Sequence, residues 1–161
     1  MKTTTQNTRG EGIVTRKMQI SSPAFLDGES IPSRYTCEGH DISPPIHIER
    51  IPPGTRSLVL IVDDPDAPNG NWVHWLVWNI PVTHHLNEGE VNGVEGLNDF
   101  KQQHYGGPCP PSGSHRYFFR VYALDDLLEL SHTSRKPELE DAMKAHIIGK
   151  GELVGIYRKK S

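Results

Sequence analysis

The sequence lacks a dominant sign of charge: 17 lysines and arginines stand against 20 aspartates and glutamates, with nine histidines besides. That balance leaves no electrostatic footprint for nucleic acid, and no block of like charge marks an interaction tail. Long hydrophobic runs are also missing. No segment reaches the ~18 uninterrupted apolar residues of a membrane-spanning helix. The opening MKTTTQNTRGEGIVTRKMQI holds no apolar stretch of signal-peptide length. Cysteine is scarce, with Cys37 and Cys109 far apart and in no CxxC pair. Two such residues could bridge, but they do not make a disulfide framework, and sparse usage is the ordinary cytosolic pattern. Free thiols and a cytoplasmic location are therefore expected.

What the chain does have is punctuation. Its 13 prolines and 15 glycines are spread throughout 161 residues and cut it into short segments, which suits a β-rich domain better than a helical bundle. A chain this long can bury roughly 70% of the surface its unfolded form exposes, enough for one real core. Residues 1–17 read as a flexible arm and 18–161 as a single domain. IHIER (46–50) alternates as a strand does. SLVLIVDD (57–64) and WVHWLVWNI (72–80) are apolar on both faces, as interior strands are. HRYFFRVYAL (115–124) is rich in aromatic and β-branched residues, and LVGIY (153–157) is a weaker strand. In KPELEDAMKAHIIGKG, Pro137 suits a first helical turn, and Leu139, Ala142, Met143, His146 and Ile147 follow at helical spacing, with Gly149 as the stop. A short helix is also expected near 124–130, and 88–99 reads as a long surface loop.

Two stretches carry residues suited to chemistry. In DDPDAP, Asp63 and Asp64 close a strand, while Pro65 and Pro68 stiffen the backbone on either side of Asp66. Alone this is equally a solvated turn. His74 adds to it: strand parity places it with Leu76, Trp78 and Ile80, and a turn back from Asp64 to Trp72 would bring Asp64 and His74 to one sheet end. A carboxylate there would favour a partly cationic imidazole near neutral pH. In YGGPCPPSGSHRYFF (105–119), glycines and prolines make a rigid loop whose free N–H groups, notably those of Gly107 and Cys109, suit an anion. His115 and Tyr117 follow on one strand face. Together these residues offer a small pocket for a phosphate-like group, walled by tryptophan and tyrosine.

DDPDAP, HWLVWNIP and YGGPCPPSGSHRY, with the spacing between them, resemble the phosphatidylethanolamine-binding protein family, closest to its bacterial and archaeal, Raf kinase inhibitor-like branch. The likeness runs from about residue 18 to the C-terminus and includes ISSPAFLDGESIPSRYTCEG. It implies a mainly β fold of antiparallel sheets with a few short peripheral helices. It also implies ligand contacts at Asp64, Asp66, Trp72, His74, Gly107, Cys109, His115 and Tyr117, a rim shaped by Pro65, Pro68, Pro110 and Pro111, and an internal salt bridge at Arg116. Animal members have glycine at the position of Cys109 and a C-terminal helix over the pocket. No counterpart of that helix is read after Tyr157, so the resemblance implies a more open site.

The function expected is non-enzymatic, with no cofactor, no metal and no catalytic residue. The protein would hold a small anionic ligand, phosphate-like or carboxylate, or a phospholipid head group. Family resemblance adds a kinase or serine protease as a partner to be regulated, and a homodimer. The alternative is a metal-dependent hydrolase using Asp64, His74 and His115, residue types that can hold zinc or iron. No HExxH motif supports it, and neither Ser112 nor Ser114 sits in a GxSxG elbow.

Overall fold

The apolar segments at 57–64 and 72–80 form the middle of the fold, and the computed structural model describes residues 14–160 around them. In chain order the strands are β1 (Arg16–Lys17), β2 (Gln19–Ser21), β3 (Ile46–Glu49), β4 (Ser57–Asp64), β5 (Trp72–Ile80), β6 (His85–Leu86), β7 (Val94–Glu95), β8 (Ser114–Leu124) and β9 (Ile147–Arg158). A 3-10 turn spans Ser33–Tyr35, and helix α1 spans Lys136–Met143. A six-stranded sheet has the order β1-β9-β8-β4-β5-β7, and a three-stranded sheet the order β2-β3-β6. Every pairing is antiparallel except β1 with β9. The mainly β, largely antiparallel architecture read from the sequence is the one observed.

All of β4 is buried because both sheet faces are covered. Leu58, Leu60 and Val62 face the larger core with Ile48, Trp75 and Phe119. Val59 and Ile61 face a second cluster, which α1 closes with Leu139 and Met143. Each such side chain contributes about 1.5–3 kcal/mol by leaving water.

Several local expectations give way to long-range pairing. Helix α1 stops at Met143, and His146 and Ile147 are not helical. Ile147 instead pairs with Leu124, and the Asp125 amide donates to the His146 carbonyl at 3.0 Å, so the ladder takes the residues that helical periodicity would have continued. The stretch after β8 is not helical either: the Leu128 amide donates to Asn79 Oδ1 and its carbonyl accepts from Asn79 Nδ2, at 2.8 and 2.9 Å. The expected 88–99 loop contains β7, which pairs with β5 through Val77–Glu95 and Trp78–Val94. Of the expected arm, residues 1–13 lie outside the described residues, while Arg16 and Lys17 pair with Gly149 and Lys150 of β9.

The register places one end of the large sheet at the junction of three strands. Asp64, the last residue of β4, pairs with Trp72, the first of β5, and Asp63 pairs with Phe118 near the start of β8.

Candidate functional site

At that sheet end a cavity of about 230 Å³ is lined by Asp64, Ala67, Pro68, Trp72, His74, Phe100, Cys109, Pro110, Pro111, His115 and Tyr117. It is smaller than the roughly 300–1,000 Å³ of a drug-sized ligand site, and so suits a small group.

His74 reaches the cavity because of a backbone irregularity. Val62 pairs with Trp75 and Asp63 with Val73, which leaves His74 as the extra residue of a β-bulge. The bulge overturns the parity expectation. The His74 ring lies 5.3 Å from that of Tyr117, on the side of the larger core, whereas Leu76 and Trp78 pack in the other cluster. Ile80 returns to the larger core after a second register shift between Leu58 and Leu60, beside Asn79, which has φ of 56°.

Each imidazole is held by one nitrogen. His115 Nδ1 donates to Asp64 Oδ2 at 2.6 Å, and Asp64 Oδ1 accepts the Asp66 amide at 2.7 Å. His74 Nδ1 donates to the Gly106 carbonyl at 2.7 Å. The expected pairing of Asp64 with His74 is therefore replaced by one with His115. Burial pushes the His74 pKa down from its ordinary value, against the Gly106 carbonyl and the carboxylates of Asp64, Asp63 and Asp41, a shift away from the cationic ring expected there. Tyr117 is buried, and its hydroxyl makes no hydrogen bond among the described residues. Burial, then the Asp64 charge, raises its pKa well beyond the ordinary phenol, while the Cys109 amide acts weakly the other way without reaching hydrogen-bonding geometry.

Asp64, Trp72, His74, Cys109, His115 and Tyr117 thus share the cavity wall, whereas Asp66 and Gly107 do not. The Asp66 carboxylate is taken up by Arg116, whose amide, Nε and Nη2 donate to it at 2.8–2.9 Å. The guanidinium is the main reason the Asp66 pKa falls to about 2. This pair is the salt bridge expected of Arg116. The Gly107 amide donates to Asp41 Oδ1 at 2.8 Å and so does not face the cavity as a free donor. Gly107 is there for space: a Cβ would lie 2.4 Å from both the Tyr35 carbonyl oxygen and Asp41 Oδ1. Pro65 lines a different recess, with Asp63, Asn71 and Lys136.

The cysteines are bridged rather than free. Cys37 and Cys109 lie with Cα atoms 5.5 Å apart, and the Cys37 amide donates to the Pro108 carbonyl at 3.1 Å. The fold brings the segment after the 3-10 turn onto the glycine–proline loop, an encounter between residues 72 positions apart that spacing alone does not reveal. Bridging removes free thiols as a ground for a cytoplasmic location. No helix among the described residues is long and apolar enough to cross a membrane.

Three residues of the site escape the motif reading. Phe100 stands edge-on to both Trp72 and His74, with ring centroids 5.5 and 5.2 Å apart. Asn98, 1% exposed, holds the Phe100 loop: its Nδ2 donates to the His74 and His104 carbonyls, and its Oδ1 accepts the Phe100 and Gln102 amides, at 2.9–3.0 Å. Asp41 takes the Gly107 amide. The only hint in sequence is the propensity of Asn and Asp to bond nearby backbone in turns. Asp64, His74 and His115, named for the hydrolase alternative, do not form a metal-holding group among the described residues.

Comparison with known proteins agrees with this architecture. A family model described as phosphatidylethanolamine-binding protein matches residues 21–158. A UPF0098 protein of Pyrococcus horikoshii is 46% identical over 162 residues, spanning 94% of this chain and 81% of the relative. A crystal structure of a phosphatidylethanolamine-binding protein homolog from Chlamydia trachomatis is 43% identical with a TM-score of 0.86, covering 91% of this chain and 100% of that one. The structure of E. coli YbcL, described as a member of the mammalian family, is 31% identical with a TM-score of 0.82, covering 89% and 99%.

Proposed function

This chain belongs to the phosphatidylethanolamine-binding protein family, and from that premise we propose that its cavity holds a small anionic group, phosphate-like or carboxylate, as a binding protein rather than an enzyme. The observation that carries the reading is the treatment of the two imidazoles. His74 and His115 are 3% and 7% exposed, each is anchored through Nδ1, and each leaves Nε2 without a partner among the described residues on the wall of one cavity. Buried polar groups are ordinarily satisfied, so the buried and unpaired Tyr117 hydroxyl on the same wall also points to a guest. The exposed Trp72 and Phe100, at 39% and 38%, flank the mouth and would cover the organic part of that guest. The volume is that of a small group such as a head group. Two side chains of the wall are kept from acting as nucleophiles. Cys109 is bridged, and the Tyr117 phenol is driven away from ionisation.

The reading is tested by calorimetric titration with phosphate, phosphoethanolamine and acetate. Saturable heat is expected with at least one, and its loss in His74→Ala. No saturable heat with any of the three overturns it.

A further inference from the structure

We infer that His47 and His85, facing each other across the small sheet, form a two-nitrogen binding site for a late first-row divalent metal ion such as Cu2+, Ni2+ or Zn2+. No residue of the cavity wall takes part, so the inference stands apart from the anion-holding reading above.

The strand pattern puts the two rings together. Ile46, Ile48 and Leu86 are buried, so the alternate residues His47 and His85 point outward from β3 and β6. They stand directly opposite in the antiparallel register. The Ile48 amide donates to the His84 carbonyl at 2.9 Å, which makes 48 and 84 a hydrogen-bonded pair. One step along, 47 and 85 are then a non-hydrogen-bonded pair, the kind whose side chains come closest. The two ring centres are 4.7 Å apart, with the planes at 82°. The nitrogens of these two rings have no partner among the described residues. His84 differs: its Nδ1 donates to the Ile48 carbonyl at 2.8 Å and lies 3.9 Å from the Glu49 carboxylate.

That spacing is the one a shared ion requires. Imidazole nitrogens bind such ions at about 2.0–2.1 Å, which puts the ion about 3.2 Å from each ring centre. Bond angles of about 90–109°, square-planar to tetrahedral, then hold two ring centres about 4.6–5.3 Å apart. The angle between the planes is no obstacle, because two imidazoles on one ion can take any twist about their own nitrogen–metal bonds. No third histidine, cysteine, aspartate or glutamate joins the pair among the described residues, so water completes the coordination and the site stays open. Imidazole suits copper, nickel and zinc, whereas Mg2+ and Ca2+ take oxygen ligands. β6 is two residues long and lies at the edge of its sheet, so an ion held by both rings clips this strand to β3.

The test follows the nine histidine rings by NMR during titration with Ni2+, whose paramagnetism broadens the signals of groups that bind it. The His47 and His85 signals are expected to fade together, at Ni2+ concentrations lower than any other histidine requires. In His47→Ala the concentration needed to broaden His85 should rise by about tenfold or more, because the second imidazole acts at a high effective concentration. His85→Ala should do the same to His47. The thermal midpoint should rise with added Zn2+ in wild type and stay unchanged in His85→Ala, because the ion binds the folded pairing and not the open one. Broadening of one ring of the pair without the other overturns the inference, as does an unchanged response of His85 in His47→Ala. Fading of the pair only at concentrations that broaden the other histidines equally shows adventitious binding and overturns it too. Should either variant fail to fold, the order of broadening in wild type decides.

Discussion

Replacing Cys37 and Cys109 together by serine opens the bridge without leaving a lone thiol. The two residues are 72 positions apart, so the link closes a large loop in the unfolded chain. The chain-entropy relation for a loop of that length gives about 4 kcal/mol at 25 °C. That figure is an upper value, since a real unfolded chain is already compact. The native contacts of the joined segments survive the change. Cys37 still donates its amide to Pro108, and Gly107 donates to Asp41, at 3.1 and 2.8 Å. The effect is therefore one on the unfolded state, and it appears in equilibrium unfolding rather than in the native spectrum. With a urea slope of about 2 kcal/mol per molar, the midpoint should fall by about 2 M. Fluorescence of the buried Trp75 and Trp78 reports the transition. Wild type reduced with excess dithiothreitol should fall by the same amount. A midpoint in C37S/C109S within about 0.5 M of oxidised wild type refutes the reasoning, because the crosslink would then constrain nothing the folded contacts do not already hold.

Two further outcomes follow from single contacts. Asn98→Ala leaves the His104 carbonyl and the Phe100 and Gln102 amides without their partner, while the His74 carbonyl keeps the Gly106 amide at 3.2 Å. At about 1 kcal/mol for each lost bond, the variant should lose about 3 kcal/mol in thermal or chemical denaturation, and a loss under about 1 kcal/mol rejects the role assigned to it. Asp66, with its folded-state pKa held at about 2 against an ordinary 3.8, contributes stability that is fully present above that ordinary value and fades as pH falls toward 2. A carboxyl NMR titration should give the low midpoint in wild type and a value returning toward the ordinary one in Arg116→Ala; a wild-type midpoint near 3.8 means the pair does not form.

The parts of this fold that were legible are those whose physics is local and repetitive. A strand covered on both faces must be apolar along its whole length, so β4 and β5 could be bounded from residue type alone. Helix α1 was legible at its start, where Pro137 falls in the first turn, and not at its end, where pairing of Leu124 with Ile147 competes with a periodicity that runs on. The site divides in the same way. Residue chemistry at Asp64, His74, His115 and Tyr117 could be read, but orientation could not, because a period of two holds no trace of an inserted residue. One bulge between Val62 and Asp63 moves His74 to the face opposite the one parity predicts. The glycines tell the same story. At Gly107 a Cβ would meet the Tyr35 carbonyl oxygen and Asp41 Oδ1, so two segments touch there, close to where Cys37 meets Cys109. Gly106 makes room in turn: a Cβ there would lie 2.6 Å from Phe100 Cδ2, so the aromatic wall facing His74 depends on a missing side chain six positions along the chain. Which atom of a legible residue faces the cavity is decided by contacts between distant segments: for His74 it is the Gly106 carbonyl, 32 positions along the chain, that takes up Nδ1.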